Sequence, residues 1–150
     1  MGDLRDLYQE VILDHTKSPR NFGRLETPSH RAEGHNPLCG DHLTLTLEIA
    51  DECVREVLFE GAGCSISTAS ASLMTQMVKG KTTSEANELF KKFHAVVTSS
   101  MDTEIDIAEL GKLAALAGVR KFPMRVKCAS LAWHTLQAAI RGDKDFVTTE

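Results

Sequence analysis

No stretch of this chain approaches the roughly 18 consecutive apolar residues that a membrane-spanning helix needs, and Met1-Gly2-Asp3-Leu4-Arg5-Asp6 carries no apolar core of a secretory signal. These two absences lead to the expectation of a cytoplasmic protein with no membrane partner. A basic tract is missing as well, and the formal net charge of -4 argues against a general binder of nucleic acid. No Gly-rich phosphate loop, Ser-His-Asp order or exposed pair of carboxylates is present to carry nucleotide or hydrolytic chemistry. Internal repeats and low-complexity segments are also lacking. The four cysteines do not form the doubled Cys-x-x-Cys of a zinc ribbon. In a reducing compartment they read better as metal ligands or reactive thiols than as two disulfides.

What the chain does contain is enough apolar material for one core. Its 150 residues, 42% hydrophobic and 25% charged, are expected to form a single domain over residues 1–142 that buries about 68–70% of the surface its unfolded chain exposes. Behind Asp3 as N-cap, Leu4, Leu7, Val11 and Ile12 recur at helical spacing up to His15. Lys17 to Asn36, with Pro19 and Pro28 inside it, reads as an irregular surface stretch with room for a short strand near Ala32. Leu43, Leu45, Leu47 and Ile49 alternate with Thr44, Thr46 and Glu48, the period of a strand with one buried face. Ala50-Asp51-Glu52 then turns the chain into a second strand from Val54 to Phe59. Helical patterns follow over Ser65 to Lys79, from Ser84 to about Ser99, over Ile107 to Ala117 up to Gly118, and from Pro123 to Gly142. Asp102 to Asp106 is an acidic linker, and residues 143–150 are expected to be a mobile tail. The order predicts an α+β fold in which a small antiparallel sheet of about three strands packs against a layer of about five helices.

The chemistry concentrates around Asn36-Pro37-Leu38-Cys39-Gly40-Asp41. Gly40 makes the turn permissive, and in an extended chain Cys39 and Asp41, two residues apart, face the same way and reach one cation together. Cys64, in Gly61-Ala62-Gly63-Cys64-Ser65, and Cys128, in Arg125-Val126-Lys127-Cys128-Ala129, each open a helical pattern. Cys39, Asp41, Cys64 and Cys128 therefore form a four-ligand candidate of the kind that fills a tetrahedral zinc site. Spacing alone leaves open whether these thiols bind metal or are simply buried. Cys64 stands out because the positive end of a helix lowers a thiol's pKa and suits it to bind metal or attack sulfur. Cys53, at a strand start, reads as a small core hydrophobe. His35 and His42 flank the Cys39 turn, where neighbours of a metal and ordinary surface or core histidines are both compatible readings. Arg125, close to one helical turn before Cys128, either aims its guanidinium at a thiolate or at Asp41 or solvates the helix.

Taken together, the Asn36–Asp41 motif, Gly63-Cys64-Ser65-Ile66-Ser67 through Ala69-Ser70-Ala71-Ser72, Lys127-Cys128-Ala129 and Asp14-His15-Thr16-Lys17-Ser18-Pro19-Arg20-Asn21 resemble the IscU/NifU-like iron–sulfur cluster assembly family from Leu7 to about Ile140. Scaffolds of the IscU type usually carry a histidine just before the third motif cysteine and a Leu-Pro-Pro-Val-Lys motif ahead of it; here Lys127 and Lys121-Phe122-Pro123-Met124-Arg125 stand in those places. The stretch from Met101 to Gly118 also looks like an insertion between the second and third motif cysteines. Both departures point to the SufU branch. The resemblance implies an IscU/SufU-like fold, zinc held by Cys39, Asp41, Cys64 and Cys128, and Cys39 as acceptor of persulfide sulfur, a sulfurtransferase-like role. The implied partners are a cysteine desulfurase of the SufS type and downstream iron–sulfur assembly proteins. The alternative it carries is a scaffold on which a labile [2Fe-2S] cluster is built at the same residues.

Overall fold

The computed structural model describes residues 4–37, 40–100, 102, 110–142 and 147–148. The expected cap Asp3, most of the acidic linker and most of the tail lie outside them. Helix α1 (Leu4–Lys17) leads into β1 (His30–Asn36), β2 (Asp41–Ala50) and β3 (Cys53–Ala62). These are followed by α2 (Ser65–Val78), α3 (Thr83–Val97), a 3-10 helix (Gly111–Lys121), α4 (Pro123–Arg141) and the short β4 (Val147–Thr148). The strands are ordered β3-β2-β1-β4; the first three are antiparallel and β4 runs parallel to the β1 edge at Gly34 and His35. This is the α+β arrangement that the pattern of elements predicts.

The alternating leucines of β2 explain where the core lies: Leu43, Leu45 and Leu47 are buried on the face that the helices cover. The turn into β3 is as short as a hairpin allows, with Asp51 and Glu52 both in the left-handed region at φ 53° and 62°, as a type I′ turn requires. β1 is longer than the sequence suggests. Its inward side chains are Ala32, Gly34 and Asn36, all buried, so no apolar alternation announces it. The reason is close packing: a Cβ at Gly34 would overlap Thr135 Oγ1 of α4, which lies directly over β1.

Pro123 at the first turn and Gly142 at φ 80° bound α4 as expected. Trp133 is fully buried and stacks on Phe93 of α3, ring centroids 4.9 Å apart. Ser70 on α2 donates to Ala129 O at 2.6 Å and accepts from Trp133 Nε1 at 3.2 Å, which staples α2 to α4. Between α3 and α4 the expected helix over Ile107 to Ala117 is, where described, a 3-10 helix that continues through Gly118 to Lys121. Leu110, Leu113, Leu116 and Val119 are all buried; they recur every third residue, the period of a 3-10 helix rather than of an α-helix.

The Asp14–Asn21 motif fastens α1 to α2. His15 Nδ1 lies 2.6 Å from Ser72 Oγ, which also accepts from Arg20 N–H at 2.8 Å, and Asn21 Nδ2 donates to Thr75 Oγ1 at 3.1 Å. Arg20 closes an ion pair of 2.6 Å on Asp14 and holds its carboxyl below the ordinary range. Burial, with the charge of Arg20, pushes His15 below the usual imidazole value.

Candidate metal centre

The antiparallel pairing of Asn36 with Asp41 brings the end of β1 and the start of β2 together on the covered face of the sheet, and both side chains are fully buried there. Asp41 is held against the start of α2: its Oδ1 accepts the Cys64 N–H at 2.8 Å, and its Oδ2 lies 3.8 Å from Cys64 Sγ. That approach depends on Gly63, because a Cβ there would sit 2.7 Å from Asp41 Oδ1. Cys64 is the N-cap of α2, with its Sγ accepting the Ser67 N–H at 3.5 Å. Cys128 reaches the same point from α4, where Asn36 Nδ2 donates to its Sγ at 3.6 Å. One ligand atom from each of Asp41, Cys64 and Cys128 lies within 4.8 Å of the others.

These separations fit a metal. Bonds of about 2.0–2.3 Å to the oxygen and sulfur ligands of tetrahedral zinc put neighbouring ligand atoms about 3.3–3.8 Å apart, so the three donors need close in by only about an ångström. Two thiols and a carboxylate select a soft or borderline ion such as zinc, or an iron–sulfur cluster, over calcium or magnesium. The N–H groups of Ser67 and Asn36 are both aimed at sulfur, at Cys64 and Cys128 respectively.

Of the sequence-predicted site residues, Asp41, Cys64 and Cys128 converge, while Cys39 lies with Leu38 outside the described residues. Its neighbour Gly40 adopts φ 72°, the left-handed turn conformation. Arg125 is exposed, its guanidinium 4.8 Å above the Phe122 ring. Cys53 stands apart from the group, half-buried, with Sγ 3.6 Å from Gly80 O. Sequence reasoning missed Asn36 and Gly63 as parts of the centre. Both stand inside the quoted motifs, but the Asn36–Cys128 contact joins residues 92 apart and leaves no local signal.

With the geometry in place, a family model for the NifU-like N terminal domain matches residues 7–129. The chain belongs to this family. Within it, the chain is 45% identical over 140 residues to the zinc-dependent sulfurtransferase SufU of Bacillus subtilis (strain 168), covering 93% of this chain and 92% of that protein. It is also 40% identical over 141 residues to the iron–sulfur cluster assembly scaffold protein IscU of Streptococcus pyogenes serotype M1, covering 94% and 87%. The crystal structure of FiSufU from thermophilic Fervidobacterium islandicum AW-1 superposes with a TM-score of 0.80 at 37% identity, covering 87% of this chain and 94% of that one. In the NifU-like family setting, the convergence of Asp41, Cys64 and Cys128 is a candidate centre for iron–sulfur chemistry.

Proposed function

We propose that this protein is a zinc-dependent sulfur acceptor in iron–sulfur cluster assembly, taking sulfur from a cysteine desulfurase of the SufS type and passing it to downstream assembly proteins. The observation that carries the reading is the meeting of two thiols and one carboxylate from three separate elements within 4.8 Å, in a chain close to a zinc-dependent sulfurtransferase over nearly its whole length. Asp41, Cys64 and Cys128, with Cys39 as the fourth ligand, hold one zinc ion, which when bound keeps the thiols deprotonated at neutral pH.

The division of labour among the thiols follows from their surroundings. Cys64 is fixed by capping α2 and Cys128 by the Asn36 amide, both on helices packed into the core. Cys39 directly precedes the left-handed Gly40 in sequence, and it is the thiol to which we assign the acceptor role. Its thiolate attacks the outer sulfur of the desulfurase's cysteine persulfide. A bond forms between Cys39 Sγ and that sulfur, the donor's S–S bond breaks, and the donor cysteine leaves as thiolate. The proton stays on the transferred sulfur, so Cys39 becomes a persulfide and no external oxidant or reductant is needed.

A second reading, a scaffold for a labile [2Fe-2S] cluster, draws on the same donors, since such clusters also take cysteine thiolates. Desulfurase turnover separates the two. Zinc-loaded protein added to a SufS-type desulfurase and cysteine should raise the steady rate of alanine release, because an acceptor clears the bound persulfide each cycle, and Cys39→Ser should abolish the increase. Unchanged turnover, with delivery of a cluster to an apo-ferredoxin by the iron-reconstituted form, would establish the scaffold reading instead.

A further inference from the structure

The three converging donors each accept an N–H group, two of them from the backbone and the third from a side chain. Asp41 Oδ1 accepts from Cys64 N–H, and Cys64 Sγ accepts from Ser67 N–H. Cys128 lies in the second turn of α4, where helix N–H groups are committed to carbonyls four residues back. Its Sγ accepts from across the boundary between helix and sheet instead, from Asn36 Nδ2 at 3.6 Å.

Asn36 and Asp41 are paired at the open end of β1 and β2, and both are fully buried. That end of the hairpin therefore grips both helix-borne thiols: Asp41 meets Cys64 of α2, and Asn36 meets Cys128 of α4. The reach is set by Gly34, which shares the inward face of β1 with Asn36. With no Cβ at Gly34, Thr135 of α4 comes in close, and Cys128 lies about two helical turns before Thr135 on the same helix. An amide suits the place chemically. Two thiolates and a carboxylate already outweigh the charge of a divalent ion before Cys39 joins, and excess charge in a buried site needs hydrogen-bond donors. We propose that Asn36 is a positioning residue of the metal centre, whose amide holds Cys128 Sγ on the ion and limits the charge that sulfur gives to it. This rests on Asp41, Cys64 and Cys128 being the ligands. It applies to zinc and to a cluster alike, and so does not depend on the acceptor role of Cys39.

The test uses the full chain and a variant, Asn36→Leu, that removes the donor while keeping an inward side chain of similar size. Against a competing chelator it should hold zinc at least about tenfold more weakly, the lower bound for losing an outer partner of a metal ligand. With cobalt(II) bound in place of zinc, its sulfur-to-cobalt charge-transfer band should move to longer wavelength, because a sulfur that has lost its N–H partner gives up charge more readily. Thr135→Val disturbs the packing of α4 on β1 and leaves the donor in place, so it should change neither readout. In wild-type protein filled with ¹¹³Cd²⁺, a side-chain amide proton of Asn36 should show scalar coupling to the metal through the Cys128 sulfur, a measurement that needs no variant to fold. Wild-type zinc affinity with an unshifted band in Asn36→Leu, the same shift in Thr135→Val, or no coupling between cadmium and Asn36 would each overturn the role. Wild-type protein that takes up cobalt without any sulfur-to-cobalt band would overturn the ligand assignment itself, and the role of Asn36 with it.

Discussion

Replacing Ser70 by Ala tests how the fold holds the two helix-borne thiols in place. Ser70 Oγ is fully buried, donates to Ala129 O and accepts from the Trp133 indole N–H. Ala129 follows Cys128, and Ser70 lies on the helix that Cys64 caps, so this hydroxyl links the supports of both ligands. The Ala129 carbonyl keeps a helical partner within α4 when the hydroxyl is gone. The Trp133 N–H, in a residue with no exposure, keeps none, and a buried donor left unpaired costs about 1–3 kcal/mol. Taking about 2 kcal/mol, and about 2–4 °C of Tm per kcal/mol for a chain of this size, Ser70→Ala should melt about 4–8 °C lower. The assay is thermal unfolding of the metal-free protein, with exposed Ser84→Ala as a control that leaves Tm unchanged. A Tm within about a degree of wild type would refute the role given to the staple.

Gly63→Ala should lower zinc affinity with little loss of secondary structure, because its Cβ would press on the Asp41 carboxylate from 2.7 Å; equal zinc retention against a competing chelator would contradict this. Cys64→Ser and Cys128→Ser should lose metal and stability together, as binding energy at such a site is folding energy, whereas Cys53→Ser should keep its zinc. Elemental analysis and unfolding of the three variants decide it, and metal loss at Cys53 would show the cysteines to be wrongly divided. His15 and His134 are both held below the usual imidazole value, chiefly by burial and then by the neighbouring charges of Arg20 and His94 respectively. The unfolded chain takes up these protons near pH 6.5 while the folded one resists, so the stability of the metal-free protein should be level above that pH and fall as pH drops from it toward the lowered folded values. His134→Gln should flatten the fall, and urea midpoints that do not decline between pH 7.5 and 5.5 would contradict the assignment.

The β2–β3 hairpin was legible because its leucines face the helices at every second position and its turn needs no support from elsewhere. α4 was equally plain, with Pro123 and Gly142 marking its ends. β1 was obscure because its inward face is made of Ala32, Gly34 and Asn36: α4 presses so close that no large apolar side chain fits, and the strand signal vanishes with it. The pattern over Ile107 to Ala117 predicts a short helix stopped by Gly118, whereas Leu110, Leu113, Leu116 and Val119 spell a period of three and the 3-10 helix runs on to Lys121. In the centre, the motifs named Asp41 and Cys64 at the starts of β2 and α2, and Cys128 in the second turn of α4 rather than at the start of its helix. The amide of Asn36 and the close approach of Asp41 to Gly63 gain their meaning only from elements distant in sequence.

The account rests on Cys39 as the thiol that receives sulfur, and mapping the persulfide tests that most directly. Zinc-loaded protein is incubated with a SufS-type desulfurase and cysteine, alkylated without reductant, digested, and read by mass spectrometry for the mass of one added sulfur on each cysteine peptide. The account predicts added sulfur on Cys39, with Cys53, Cys64 and Cys128 unmodified and with no transfer to Cys39→Ser. Persulfide on Cys64 or Cys128 in the wild type, or undiminished transfer to Cys39→Ser, would contradict it.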